Sequence, residues 1–371
     1  MHNPLKLTLA MSLALQFVPA VRAQRYEVTD LGTLPGGTTS QAAGINGRGQ
    51  VVGAASVPQG THAFLWKHSE GMQDLGTLPG GDVYSAAAGI NFQGRIAGTS
   101  DFSQPFMGNT HAFVWTQRSG MQDIGTLGCP DITGANGINV FSEVVGVSTI
   151  APCPGGGQYR AFAFFATSDG VMQNLGTLPG GVFSIGFAIN FHGHVVGYAG
   201  CSPCSYGTYH AFLWTTAAGM QDLGTLSGGD TSQASGINSF DSVVGGSNSR
   251  GSLNQLQPFH AVLWSKDEEM KDLGMLPGGN FSIAFGINDR NEVVGDSQYA
   301  NSYSSGTHAF IWSPAEGIQD LNDLIKPKSG WVLVDARAIN EVGQIVGSGT
   351  IRNQTHAFLL TPRGNDDDDE E

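Results

Sequence analysis

The sequence predicts an all-β fold: a seven-bladed β-propeller of four-stranded antiparallel blades, closed by pairing of the N-terminal strand with the last blade. Three observations predict it. One phrase recurs seven times along the chain. Its period of roughly 50 residues lies in the range of propellers and solenoids. Each copy holds four short runs rich in Val, Ile and aromatic residues, separated by Gly and Asn turns, with no helical periodicity. An open β-solenoid is the alternative, but each repeat is long for one coil.

The first copy starts at Asp30-Leu-Gly-Thr-Leu-Pro-Gly-Gly37, continues through Ala43-Gly-Ile-Asn46 and Val51-Val-Gly53, and ends at His62-Ala-Phe-Leu-Trp66. Strand A of each blade is the Ala-x-Gly-Ile-Asn segment. Its small residues suit a crowded axis, which makes A innermost. The Asn that ends it recurs at Asn46, Asn91, Asn139, Asn190, Asn238, Asn288 and Asn340. Asn followed by Gly three residues on reads as a tight A–B turn, with the Asn side chain bonding its own backbone. Strand B is Val-Val-Gly. Strand C is His-Ala-Phe-Leu-Trp, in which His62, Phe64 and Trp66 point one way and Ala63 and Leu65 the other. Such a sheet must be covered on both faces, so bulky faces pack on smaller ones around the ring. Strand D is Met-Gln-Asp-Leu-Gly-Thr-Leu, the outermost. The last repeat supplies only A to C (334–340, 344–349 and 355–360), and the orphan D strand of residues 26–34 is expected to complete it, removing two open edges.

Residues 1–23 read as a signal peptide: Lys6, an apolar run from Leu7 to Ala20 too short to span a bilayer, then the small-residue site Val21-Arg-Ala23. The chain is expected to be secreted, extracellular or periplasmic, without membrane insertion after cleavage, and a monomer. Residues 24–363 form the propeller. Residues 364–371 form an acidic tail expected to be disordered. The net charge of −14 argues against nucleic acid, which demands a basic face. Four cysteines in an exported chain favour disulfides. Of three possible connectivities, Cys129–Cys153 and Cys201–Cys204 keep each bridge within one repeat.

The phrase histidines His62, His111, His210, His260, His308 and His356 stand on separate blades, too far apart for a shared metal. They are assigned a structural role, with Thr77, or the Ser after the Gly pair (Ser40, Ser85, Ser184, Ser232, Ser282), as hydrogen-bond partner. In the third repeat Arg160 aligns with the His. The Asp of strand D (Asp30, Asp74, Asp123, Asp222, Asp272, Asp320; Asn174 once) is a lone carboxylate in each blade, not an acid–base pair. No nucleophile elbow, phosphate loop, metal set or cofactor motif is present in the sequence.

The B–C loops (101–109, 149–159, 200–209, 248–259 and 298–306) vary, whereas the D–A loops are nearly constant. A constant frame with variable loops is how scaffolds carry binding. Candidate ligand contacts are Phe102, Phe106, Tyr159, Tyr206, Tyr209, Tyr299 and Tyr303, aromatics among amides that suit a glycan or a protein. The recurring Asp-Leu-Gly-Thr-Leu-Pro-Gly-Gly, Gly-Ile-Asn, Val-Val-Gly and His-Ala-Phe elements resemble the HAF-type extracellular repeat proteins of bacteria over nearly all of residues 26–362. That resemblance implies an exported, propeller-like protein with no established catalytic residues. Expected is a non-catalytic binding module. The alternatives are a polysaccharide-acting enzyme, which would need acidic or His residues converging on the axis where the inner strands are mostly Ala, Gly and Ser, and a purely structural surface protein.

Overall fold

The computed structural model describes residues 25–102, 110–128, 132–150, 160–202, 208–249, 259–266, 268–299 and 306–363. The expected signal peptide and acidic tail lie outside them. So do Phe106, Tyr159, Tyr206, Tyr303, Cys129, Cys153 and Cys204. Cys201 is disulfide-bonded.

Seven four-stranded antiparallel sheets form the molecule. Blade 1 runs Ser40–Ile45, Val51–Val57, Gly60–Lys67 and Gly71–Asp74 from the inside outward. The inner strands of blades 2 to 7 are Ser85–Ile90, Thr133–Ile138, Ser184–Ile189, Ser232–Ile237, Ser282–Ile287 and Trp331–Ile339. Each inner strand neighbours the two flanking ones, and the last neighbours the first, which closes the ring. Blade 7 takes its outer strand, Tyr26–Asp30, from the start of the chain, with Asp30 opposite Phe358 and Val28 opposite Leu360. The divergent stretch before blade 7 forms a 3-10 turn, Leu321–Asp323, that buries Leu321, Leu324 and Ile325. No helix among the described residues is long and apolar enough to cross a membrane.

The alternation of strand C organises the core. Phe64 and Trp66 pack backward against Val346, Ala357 and Leu359 of blade 7. Ala63 and Leu65 face forward, under Phe113 and Trp115 of blade 2. Phe64, Phe113, Phe164, Phe212, Phe310 and Phe358 are all fully buried at this seam position. Burying each such ring contributes about 2–3 kcal/mol, so the blade-to-blade seams carry much of the stability.

A β-bulge interrupts every inner strand at the x of Ala-x-Gly, or of Gly-Phe187-Ala in blade 4 and Ala-Arg337-Ala in blade 7. It explains the glycine of Val-Val-Gly. A Cβ on Gly53 would lie 2.0 Å from the Gln41 carbonyl oxygen, and the same clash recurs at Gly98, Gly146, Gly197, Gly245, Gly295 and Gly347. The bulge draws that carbonyl over the glycine, and no side chain fits beneath it.

The seven asparagines do more than shape turns. The Asn46 side-chain oxygen accepts the Arg48 and Gln50 amides, so its Nδ2 is free to donate outward. It donates to the Asn91 carbonyl of the next blade at 3.0 Å. The pattern continues from Asn91 through Asn139, Asn190, Asn238 and Asn288 to Asn340, which donates to Asn46 at 3.1 Å. The result is a closed ring of seven inter-blade hydrogen bonds.

The second Nδ2 hydrogen follows an exchange rule. In blades 1, 3, 6 and 7 it goes to the blade's own Gln50, Glu143, Glu292 or Gln344, four residues on. The blade that follows each of these has Gly94, Gly193, Gly343 or Gly49 at the left-handed turn position. In blades 2, 4 and 5 it goes instead to the next blade's Ser142, Asp241 or Asn291. Those three occupy the same turn position at φ of 67, 63 and 57°. Left-handed backbone costs a non-glycine residue of order 1 kcal/mol, and here the side chain gained supplies the missing acceptor.

Candidate functional site

The repeat histidines were expected to bond Thr77 or the nearby Ser; both assignments are corrected. The third and fourth strands pair with Phe64 opposite Asp74, one residue away from the expected register, because the hairpin closes on Gly71 at φ 75°. His62 then lies diagonal to Asp74 on one face, within reach across the strand pair, and its Nδ1 meets the carboxylate at 3.0 Å. The same pair forms at His111–Asp123, His210–Asp222, His260–Asp272, His308–Asp320 and His356–Asp30, at 2.6–2.8 Å. The serine bonds backbone instead: Ser85 Oγ accepts the Ala63 amide.

Blade 3 decides the alignment. Phe164 stands opposite Asn174, so Phe162, not Arg160, occupies the histidine position. The only repeat without the Asp also lacks the His. Asn174 keeps the carboxylate's second task, accepting the Gly176 amide as Asp74 accepts that of Gly76. Asp74→Asn is therefore expected to keep the turn and cost under about 1 kcal/mol, since the pair is half-exposed. Asp74→Ala should cost roughly 1–2 kcal/mol more. Urea unfolding of both variants checks this, and equal costs would remove the two-task reading. In blade 6's predecessor, burial pushes the Asp272 carboxyl up, but hydrogen bonds from His260 and the Gly274 amide outweigh it and hold it below the usual range. A depressed carboxyl stabilises above its ordinary titration and loses that contribution as pH falls through the folded value, so the Asp272 contribution is lost in acid.

Of the candidate ligand aromatics that are described, Phe102 stacks on His111 at 4.2 Å between centroids and Tyr299 on His308 at 4.5 Å. Tyr209 packs on Tyr198 at 4.4 Å. All three join loop to blade. On the opposite, A–B face, Phe92, Phe141, Phe191 and Phe240 are more than half exposed. They follow the ring asparagines by one or two positions, a recurrence visible in the sequence that the loop argument passed over.

The central channel differs from expectation. The bulged residues at the equivalent place in each blade are Ala43, Ala88, Asn136, Phe187, Ser235, Phe285 and Arg337, and blade 7 has a second irregularity at Val334. None belongs to a blade-to-blade core. A bulge re-aims a side chain, and from an innermost strand the direction left is the axis. Blades 1, 2 and 5 present small residues there, as expected, but blades 4, 6 and 7 do not. The Arg337 guanidinium lies 4.1 Å over the Phe285 ring. Phe187 packs on Tyr198 at 5.6 Å.

Beside Arg337, Asp335 accepts the Ser348 amide at 2.8 Å and its hydroxyl at 3.0 Å, and pairs with the guanidinium at 3.2 Å. Asp296 of blade 6 is buried next to them. Burial raises its carboxyl to about 6; the Arg337 charge opposes this and the Asp335 charge adds to it. Around Arg337 the structure thus gathers an aromatic ring and two carboxylates, the Asp296 carboxyl raised to about 6. The sequence signal was the one widely varying position between two residues that are always Ala or Gly, ahead of a constant Ile-Asn. No group of three or more metal-ligating side chains is found among the described residues.

No protein-family model and no curated protein matches the chain. Among solved structures it is similar to the β-propeller domain of the trilobed protease from Pyrococcus furiosus, described as having an open velcro topology. The TM-score is 0.53 at 10% identity, over 91% of this chain and 94% of that one. A candidate gluconolactonase aligns with TM-score 0.41 at 10% identity, over 91% and 93%. The first likeness supports the fold, and the chain is a seven-bladed β-propeller.

Proposed function

We propose that this chain is a secreted, non-catalytic binding module of the HAF-repeat kind that takes a glycan in its central channel. The observation that carries the reading is the asymmetric set of bulged side chains. Around a frame repeated seven times, the one re-aimed position in each blade concentrates Phe187, Phe285 and Arg337 in blades 4, 6 and 7. Aromatic faces that stack on C–H surfaces of a sugar, with a few placed polar groups for its hydroxyls, are the usual make-up of such a site.

Glycan-array binding by the full chain tests it, compared with a Phe187→Ala/Phe285→Ala double variant whose fold is checked by circular dichroism. Loss of at least about tenfold in affinity is expected from the double variant. Binding that survives there but is lost in a Phe102→Ala/Tyr209→Ala/Tyr299→Ala variant would move the site to the loops. Silence of the parent chain would leave the structural-protein reading ahead. A second reading, an enzyme acting on polysaccharide, is favoured by one feature: a carboxyl raised to about 6 at Asp296 beside Asp335, the kind of perturbed pair that can serve acid–base chemistry. Release of reducing ends from any bound glycan would support it.

A further inference from the structure

We infer that the cleft between blades 2 and 3 binds an acidic sugar, with the carboxylate held by Arg95 and Arg118. The cleft encloses about 350 Å³, at the lower end of the range for small-molecule sites. Its apolar floor includes Val114, Ile124 and Ala166. It lies between the outer parts of two blades, away from the channel, and does not depend on the channel reading.

Both cations come from blade 2. Arg95 stands four residues after the ring asparagine Asn91. Arg118 lies in the hairpin between the third strand, Thr110–Thr116, and the outer strand, Gly120–Asp123. Both line the cleft, and neither guanidinium forms an ion pair among the described residues. No carboxylate belongs to the lining. The acids adjacent to it in sequence are engaged elsewhere. Asp123 holds His111 and the Gly125 amide. Glu143 takes Nδ2 of Asn139 at 2.6 Å and lies toward Gly193 of blade 4. Asp169 is exposed and accepts the Thr167 hydroxyl.

Exposed arginines stay hydrated and need no partner for folding. What marks this pair is that the same place at another blade junction is neutralised from within. Between blades 4 and 5, His194 stands where Arg95 does, Ala217 where Arg118 does and Asp241 where Ser142 does. His194 Nδ1 meets the Asp241 carboxylate at 2.7 Å. Between blades 2 and 3 that turn position is the buried Ser142, which lines the cleft. Its oxygen accepts Nδ2 of Asn91 at 3.2 Å, so its hydroxyl hydrogen is left to donate. A hydroxyl in place of the internal carboxylate, with a second arginine beside it, leaves two positive charges facing one cleft on a chain whose net charge is −14. Guanidinium groups take a carboxylate through paired N–H···O bonds.

The neutral lining describes the rest of the ligand. Gln122 spends Nε2 on the Ser119 and Met121 carbonyls at 3.0 and 2.9 Å, and its oxygen remains as an acceptor. Sulfate has no hydrogen to give that oxygen. A uronic acid has hydroxyls that do, and C–H groups for the apolar floor.

The test titrates the uniformly ¹⁵N-labelled full chain with methyl β-D-glucuronide, with its neutral counterpart methyl β-D-glucoside, and with sulfate, all at one ionic strength. Arginine Nε–H resonances report binding. Arg95→Lys and Arg118→Lys each remove one resonance and so assign the pair. The glucuronide should move both in a saturable manner and bind at least about tenfold more tightly than the glucoside or sulfate. Ser142→Asp copies the arrangement between blades 4 and 5, keeps an acceptor for Asn91, and should weaken the glucuronide by about the same factor. Unmoved Arg95 and Arg118 resonances, a response confined to other arginines, or an indifferent Ser142→Asp overturns the site. Glucoside or sulfate binding as tightly as the glucuronide overturns the acidic-sugar assignment. Either failure is separate from that of the channel, whose residues are unchanged in every variant.

Discussion

Asn238→Ala is expected to lower the unfolding free energy by about 4 kcal/mol. The side chain makes four hydrogen bonds in a buried setting. Its oxygen accepts the Phe240 and Ser242 amides, and its Nδ2 donates to the Asn288 carbonyl at 3.1 Å and to Asn291 Oδ1 at 3.0 Å. Alanine leaves two turn amides without partners, each costing roughly 1–3 kcal/mol, and removes the inter-blade donor to the Asn288 carbonyl, which keeps only the Asn291 amide; water at the turn recovers part of this. The exchange rule provides a sharper test. Asn291→Gly alone relieves left-handed strain but orphans one Asn238 hydrogen. Ser242→Gln alone places a second acceptor beside an occupied one. Together they reproduce the arrangement of blades 1, 3, 6 and 7. A double-mutant cycle read by urea unfolding should show favourable coupling of about 1 kcal/mol or more. Additive costs would mean that the two acceptor positions are not interchangeable.

The parts of this architecture that were legible in the sequence are those set by local chemistry. Alternation in His62-Ala-Phe-Leu-Trp66 placed bulky and small faces correctly because period-two geometry leaves no freedom. The turn role of Asn46 followed from its short amide side chain. What escaped was everything that depends on a second blade or on register. The inter-blade donation from Asn46 to Asn91 is not visible within one repeat. The pairing of His62 with Asp74 hinged on a one-residue register at Gly71, although blade 3, which has Phe162 and Asn174, shows both partners changing together. The bulge was missed because Ala-x-Gly reads as a plain small-residue strand. Its mark was that x varies widely, from Ala43 to Arg337, between residues that are always Ala or Gly, and that the glycine facing it in Val-Val-Gly never gives way to a larger residue.

Asp296→Asn is expected to stabilise the protein by about 2–3 kcal/mol at pH 8 and to leave it nearly unchanged at pH 4. The Asp296 carboxyl is raised from 3.8 to about 6, chiefly by burial, with Asp335 adding and Arg337 and a hydrogen bond from Thr307 opposing. The sign is the reverse of the usual carboxylate. With the folded value above the unfolded one, the native state binds the proton more tightly. Its contribution is fully present below the unfolded value and is lost as pH rises through about 6. Asparagine is neutral throughout and can still accept from Thr307, so the penalty disappears where the carboxylate would be charged. Unfolding of both proteins at several pH values isolates this, since other titrating groups cancel in the difference. A stability difference that does not grow between pH 4 and 8 would mean that Asp296 titrates normally. The blades need no charge at this place: Ala54, Thr99 and Val147 stand there in blades 1 to 3. A buried carboxylate that costs stability at neutral pH, beside an arginine stacked on an aromatic ring at the channel wall, is a cost that a ligand would offset. On the proposed channel reading, the same substitution should weaken glycan binding while strengthening the fold, and that opposition separates a binding residue from a structural one.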